Sequence, residues 1–242
     1  MKKTVIILSA ILFLANSCGN GQTKTTNNEL IGEVVIPVEQ RQNVEGHDKI
    51  EGVTQNDVKD RILSENEVEQ LFTDELKRTF DIQYPIFRVY AYSDNLGEHR
   101  IVLTENDNIQ TNNNLNIKAF FFRLERNTLK KEREVYDSVN SNEISIWFWT
   151  KYCSFSDIDN DGLVEPIIVY GSKPEDGAPY RVNILIYYKG KKYTQRHKDG
   201  DLDFMRSTQI DKAFYALPKA IQERVKTITD VMIENGHVLE WQ

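Results

Sequence analysis

The chain opens with a basic start, Met1-Lys2-Lys3, and an almost wholly apolar run over residues 4–15. At ~1.5 Å per residue this run is too short to cross a ~30 Å hydrocarbon core, and it has the charge and length of a secretory signal. Apolar positions then thin out, and residues 18–55 are polar and of low complexity, with a short β-type patch at Val34-Val35-Ile36. Such sequence buries too little apolar surface to order itself and is read as a flexible tether. A helical period follows. Ser64 and Glu67 form a capping box, and Val68, Leu71, Phe72, Leu76 and Phe80 recur at helical spacing. From Tyr84 the period shortens to that of strands, predicted over 86–92, 99–105, 117–125, 132–139, 144–155, 166–171, 182–188 and 192–197. Gly190 supplies the turn of the last hairpin. The end is helical again over 211–217 and 218–235, with an apolar stripe of Ile221, Val225, Ile228, Val231 and Met232 and a stop at Gly236. The pattern predicts a single α+β domain over 56–242. Its mostly antiparallel sheet has about six to eight strands, with the helices of both sequence ends packed on one face.

Composition narrows the class. Thirty-seven acidic against thirty basic residues give a formal charge of −7 over 242 residues. An acidic balance argues against a nucleic-acid partner, which needs clustered Lys and Arg. Two cysteines allow no disulfide framework.

The residues Ala15-Asn16-Ser17-Cys18 resemble the lipobox of bacterial lipoproteins, Asn16 being the departure. The resemblance implies cleavage after residue 17, acylation of Cys18 (palmitate-type chains) and a membrane partner reached through those chains. The alternative is ordinary signal cleavage near Ser17, with Cys18 left as a thiol. Stable anchoring takes more than one acyl chain. Cys18 is followed by Gly19-Asn20-Gly21-Gln22, without an acidic run. The expected location is the cell envelope, facing the periplasm in preference to the cell surface.

One stretch carries chemistry: Asp157-Ile158-Asp159-Asn160-Asp161-Gly162-Leu163-Val164-Glu165. Carboxylates stand at positions 1, 3, 5 and 9 with glycine at 6, a density of oxygen ligands that suits Ca²⁺. The loop resembles the EF-hand and, more closely, the short calcium loops of integrin-type propeller repeats. That resemblance implies Asp157, Asp159, Asp161, the Leu163 carbonyl and Glu165 as ligands. Ile168 stands where an EF-hand has its bidentate glutamate, and Pro166 opens a strand where an EF-hand has its exiting helix. A structural strand–loop–strand calcium site is expected. The competing reading is an acidic turn closed by its own aspartates, with no ion.

Trp147 and Trp149 share one parity of the aromatic segment 144–155 and are read as core, the alternative being a platform that stacks on sugar rings. Cys153 is read as an inert buried thiol. Asp199, Asp201 and Asp203 form a second acidic cluster beside His197, read as a turn in preference to a second metal site. His99 and His237 stand alone in sequence, and no zinc spacing, phosphate loop or nucleophile motif is present. No catalytic residue is assigned, and a non-enzymatic role is expected. Trp149-Thr150-Lys151-Tyr152 through Gly162, with Ile186-Tyr187-Tyr188-Lys189-Gly190-Lys191-Lys192, resembles a family of Bacteroidota lipoproteins over about 147–242. Members often carry the label of surface-polysaccharide biosynthesis. The resemblance implies a polysaccharide or an envelope protein as partner. The class that competes with it is an envelope enzyme or glycan-binding module using the acidic loop and the Trp-rich strand.

Overall fold

A computed structural model describes residues 60–108, 113–175, 181–200 and 205–238. These belong to one compact unit. The signal, Cys18 and the tether lie outside the described residues.

The elements run β1 (Arg61–Ile62), α1 (Glu65–Leu71), α2 (Asp74–Thr79), β2 (Ile86–Asp94), β3 (Gly97–Asn108), β4 (Asn113–Glu125), β5 (Thr128–Ser138), β6 (Ser145–Phe148), β7 (Ser154–Ser156), β8 (Glu165–Lys173), β9 (Arg181–Tyr188), β10 (Lys191–Lys198), β11 (Ser207–Ile210) and α3 (Lys219–Glu234). Short 3-10 turns stand at Thr150–Tyr152 and Lys212–Ala216. The helix predicted from Ser64 forms with its capping box: the Ser64 N–H donates to Glu67 Oε2 at 2.9 Å, and Ser64 Oγ accepts from the Glu67 N–H at 3.4 Å. It stops at Phe72. Thr73 then caps a second short helix through the Leu76 N–H.

The strands make two sheets in place of the single one expected, and every pairing among the described residues is antiparallel. Sheet A has the order β1-β2-β3-β4-β5, and sheet B the order β11-β10-β9-β8-β6 with β7 also on β8. The stretch read as one strand over 144–155 is broken by the turn at Thr150–Tyr152. β6 therefore pairs with the end of β8 and β7 with its start.

The sheets face each other across a core of Tyr92, Leu103, Phe121, Ile168, Leu185 and Tyr187 among others. α1 and α2 cover the outer face of sheet A, where Phe72, Leu76 and Phe80 meet Val102, Phe120 and Phe122. α3 covers the outer face of sheet B, where Ile221, Val225 and Ile228 meet Ile167, Val169 and Ile184. The helices thus sit on opposite outer faces and not together on one. The reason is compositional. Strands such as β4 and β8 are apolar on both faces, so each sheet needs cover on two sides.

Candidate metal site

β7 and β8 pair down to Ser156 opposite Glu165, so the nine-residue acidic stretch is the connection between two antiparallel strands. The strand–loop–strand arrangement follows from Pro166 and the β-branched run after it, which extend as β8. The loop folds on its own carboxylates. Asp157 accepts the N–H groups of Asp161 (3.1 Å) and Gly162 (2.9 Å), and Asp161 Oδ1 accepts the Leu163 N–H at 3.0 Å. Glu165, 1% exposed, reaches back so that Oε2 accepts the Ile158 N–H at 2.7 Å. Asn160 (φ 60°) and Gly162 (φ 87°) take the left-handed backbone that the reversal needs.

Asp157, Asp159, Asp161 and Glu165 each bring a carboxylate oxygen within 4.8 Å of the others, a group that could hold a metal ion. Asp159 Oδ1 is enclosed and makes no hydrogen bond. Leu163 lies in the same loop, its peptide fixed through the bond to Asp161. Asp161 also meets a cation: Lys189, in the β9–β10 turn, sets Nζ 2.8 Å from Oδ2 and holds the Asp161 carboxyl below the usual range. Glu165 goes the other way. Burial pushes its carboxyl up to about 7, and the charges of Asp159, Asp161 and Asp157 add to the rise against the Ile158 hydrogen bond.

This shift carries a sign. An acid raised above its unfolded value of 4.5 binds its proton more tightly in the fold, so metal-free stability falls as pH rises from about 4.5 to about 7. In chelator, the melting temperature of the wild type should therefore drop over that interval relative to Glu165→Gln, which cannot ionise. Parallel pH profiles for the two proteins would remove the assignment.

The loop is also docked on sheet A, through the turn between β2 and β3. The Asn95 N–H donates to Gly162 O at 2.9 Å, and the Val164 N–H donates to Asp94 Oδ2 at 3.3 Å. Asp94 Oδ1 accepts from the Leu96 N–H (2.8 Å) and His99 Nε2 (3.0 Å), and His99 stacks on Tyr92 with centroids 4.8 Å apart. Asp94 and His99 are about seventy residues from the loop in sequence, and the only local signal was the turn Asp94-Asn95-Leu96-Gly97.

The other candidates have structural partners. Trp149 is 7% exposed and packs in the core between sheet B and α3. Its ring lies so close to β8 that a Cβ on Gly171 would stand 2.7 Å from it. Trp147 is half-buried against the same cluster, its ring 5.9 Å from that of Trp149. Burial pushes the Cys153 thiol up to about 12, and its sulfur accepts the Val169 N–H at 3.4 Å. Asp199 accepts from its neighbour Gly200 and pairs with Arg206. Asp201 and Asp203 lie outside the described residues. His237 Nδ1 stands 2.8 Å from the Tyr152 hydroxyl.

No protein-family model, curated protein or solved structure matches the chain.

Proposed function

We propose that the chain is a lipid-anchored cell-envelope protein, non-enzymatic, whose β7–β8 loop holds a structural Ca²⁺ and whose work is to support the assembly of surface polysaccharide or another envelope component. The observation that carries the calcium part is the convergence of four carboxylates on one space with Glu165 sealed beneath them. Oxygen-only donors in a flexible loop suit Ca²⁺, which accepts six to eight oxygens in irregular geometry, better than Mg²⁺, which demands a near-ideal octahedron. A bound divalent cation would bring Glu165 down into its ionised form and supply the missing partner of Asp159. The ion has a structural place because the loop ties β8 to the β2–β3 turn through Asn95 and Asp94. β8 follows directly, so there is no exiting helix for a sensor-type opening. The anchor rests on residues 1–18 of the sequence alone.

Titration of the chelator-stripped protein with calcium should show one site and raise the melting temperature. Asp157→Ala and Asp161→Ala should each abolish both effects. A melting temperature indifferent to EDTA and calcium would sink the metal reading. For the anchor, Cys18→Ala should release the protein from the membrane fraction, and an unchanged distribution would sink it. The process is tested by the surface-polysaccharide profile of a deletion strain.

A further inference from the structure

The last helix ends so that a titratable ring is laid against the core. Gly236 (φ 67°) takes the left-handed backbone after Asn235. Its N–H donates to Ile233 O at 2.8 Å, and the His237 N–H donates to Met232 O at 2.9 Å. These two bonds make a Schellman cap, which turns His237 and Val238 back toward sheet B. Val238 is 3% exposed and belongs to the core between α3 and sheet B. The His237 ring is half-buried, edge-to-face with Trp149 at 5.1 Å and with Tyr152 at 5.7 Å.

The hydrogen bonds around that ring have one consistent direction. Asn235 Nδ2 lies 2.7 Å from Val231 O, an atom that only accepts, so this end of the amide is the NH2. The same nitrogen donates to the Tyr152 hydroxyl at 3.1 Å. Tyr152 is buried, and its own proton finds an acceptor in His237 Nδ1, 2.8 Å away. Burial raises the Tyr152 hydroxyl above its usual 10, so it keeps that proton. Nδ1 is therefore bare, and the proton of the neutral ring sits on Nε2. The relay runs from Asn235 to Tyr152 to His237. A second proton on the ring reverses its last step. Tyr152 then receives two donors, and its own proton is left without an acceptor inside the core. The surroundings oppose that proton as well. Burial, and after it the charge of Lys151 on the facing turn, hold the ring below its usual 6.5. The ring stays low although α3 carries Asp230 and Glu234 in its last two turns.

We propose that this relay is an acid-released latch: the neutral His237 ring holds the end of α3 and Val238 against Trp149, and protonation of the ring frees them from sheet B. A histidine in water takes a proton more readily than one sealed in the relay, so acid favours the open form. The closed end has its full stability above about pH 6.5 and loses it as pH falls toward the lower, folded value. Opening uncovers apolar surface, the seat of Val238 and the side of Trp149 that His237 covers. The latch does not depend on an ion in the β7–β8 loop.

The test is hydrogen exchange of the detergent-solubilised full chain in chelator at pH 7.5 and pH 5, with rates corrected for the intrinsic pH dependence of exchange. Opening of residues 232–238, measured against β4 in the same molecule, should rise about twofold or more at the lower pH. His237→Gln keeps an acceptor for Tyr152 but does not titrate, and its response should be flat. Lys151→Gln changes an exposed side chain and should move the wild-type response to higher pH. Nitrogen-15 spectra of labelled histidine at pH 7.5 should show His237 protonated at Nε2 and bare at Nδ1. The proposal is overturned by a proton on Nδ1 at that pH, by opening that does not change between the two pH values, or by an equal rise in His237→Gln. A response that Lys151→Gln leaves in place or moves to lower pH overturns it equally.

Discussion

Asp94→Ala is expected to destabilise the protein by about 3 kcal/mol, a fall in melting temperature on the order of 10 °C for a domain of this size. The Asp94 side chain is only 5% exposed and accepts three hydrogen bonds, from the N–H groups of Leu96 and Val164 and from His99 Nε2. Truncation strands the His99 ring, itself nearly sealed, and removes a direct bond between the β2–β3 turn and the loop before β8. The cost of leaving buried donors unpaired exceeds the modest net value of the bonds themselves. Asp94→Asn keeps the shape and one acceptor and should cost roughly half as much. If the loop holds calcium, the alanine variant should also bind it more weakly, although Asp94 is not among the converging carboxylates. A melting temperature within about 2 °C of wild type for Asp94→Ala would show that the turn and the loop are not mechanically joined.

Arg181→Ala acts at the other end of β8 and should cost as much or more, about 3–5 kcal/mol. Its guanidinium forks onto Glu143, with Nε–Oε1 and Nη2–Oε2 both at 2.9 Å, while Nη1 meets Asp137 and Nη2 also donates to Ser138 O at 3.1 Å. The Glu143 side chain is fully buried. Burial alone would raise the Glu143 carboxyl, but the Arg181 fork outweighs it and holds the group below its usual 4.5. A carboxylate depressed in this way contributes stability above its unfolded value and loses it as pH falls through the folded one. Removal of Arg181 inverts the relation, because the stranded carboxylate is then best protonated. The gap between wild type and variant should therefore be widest near neutral pH and narrow below about pH 4.5. Arg181→Lys keeps the charge without the fork and should fall between the two. Arg181→Met with Glu143→Met should lose less than Arg181→Ala, since no lone charge remains. A pH-independent gap would contradict this account.

What could be read in the chain was what is written locally. The capping box spans only the four residues from Ser64 to Glu67, and it formed as expected. The stripe from Ile221 to Met232 lies on the buried face of α3, and the acidic positions 157–165 fold back on one another because their spacing forces it. Division into two sheets was not written locally. Alternation tells which residues share a face of a strand but not which sheet the strand joins, and Tyr92 and Ile168 look alike in that respect. The break at Thr150–Tyr152 was hidden because Trp149, just before it, and Tyr152, its last residue, are both buried aromatics that suit a strand as well as a turn. Asp94 with Val164 and Arg181 with Glu143 are joined across 70 and 38 residues, and neither partner signals the other.

The division into two meanders bears on the order in which the molecule is made. Neighbours in sheet A are neighbours in sequence, and its last strand ends at Ser138, before any strand of sheet B begins. Local pairing is the fast kind, so sheet A with α1 and α2 is expected to take shape while the rest of the chain is still emerging. Until β8 and β9 arrive, the face bearing Tyr92, Leu103 and Phe121 is bare. The half-made chain thus carries a liability to aggregation on the surface that later becomes the core between the two sheets. Closure of that seam, fastened by Asp94 at one end and Arg181 at the other, is the expected slow step of folding.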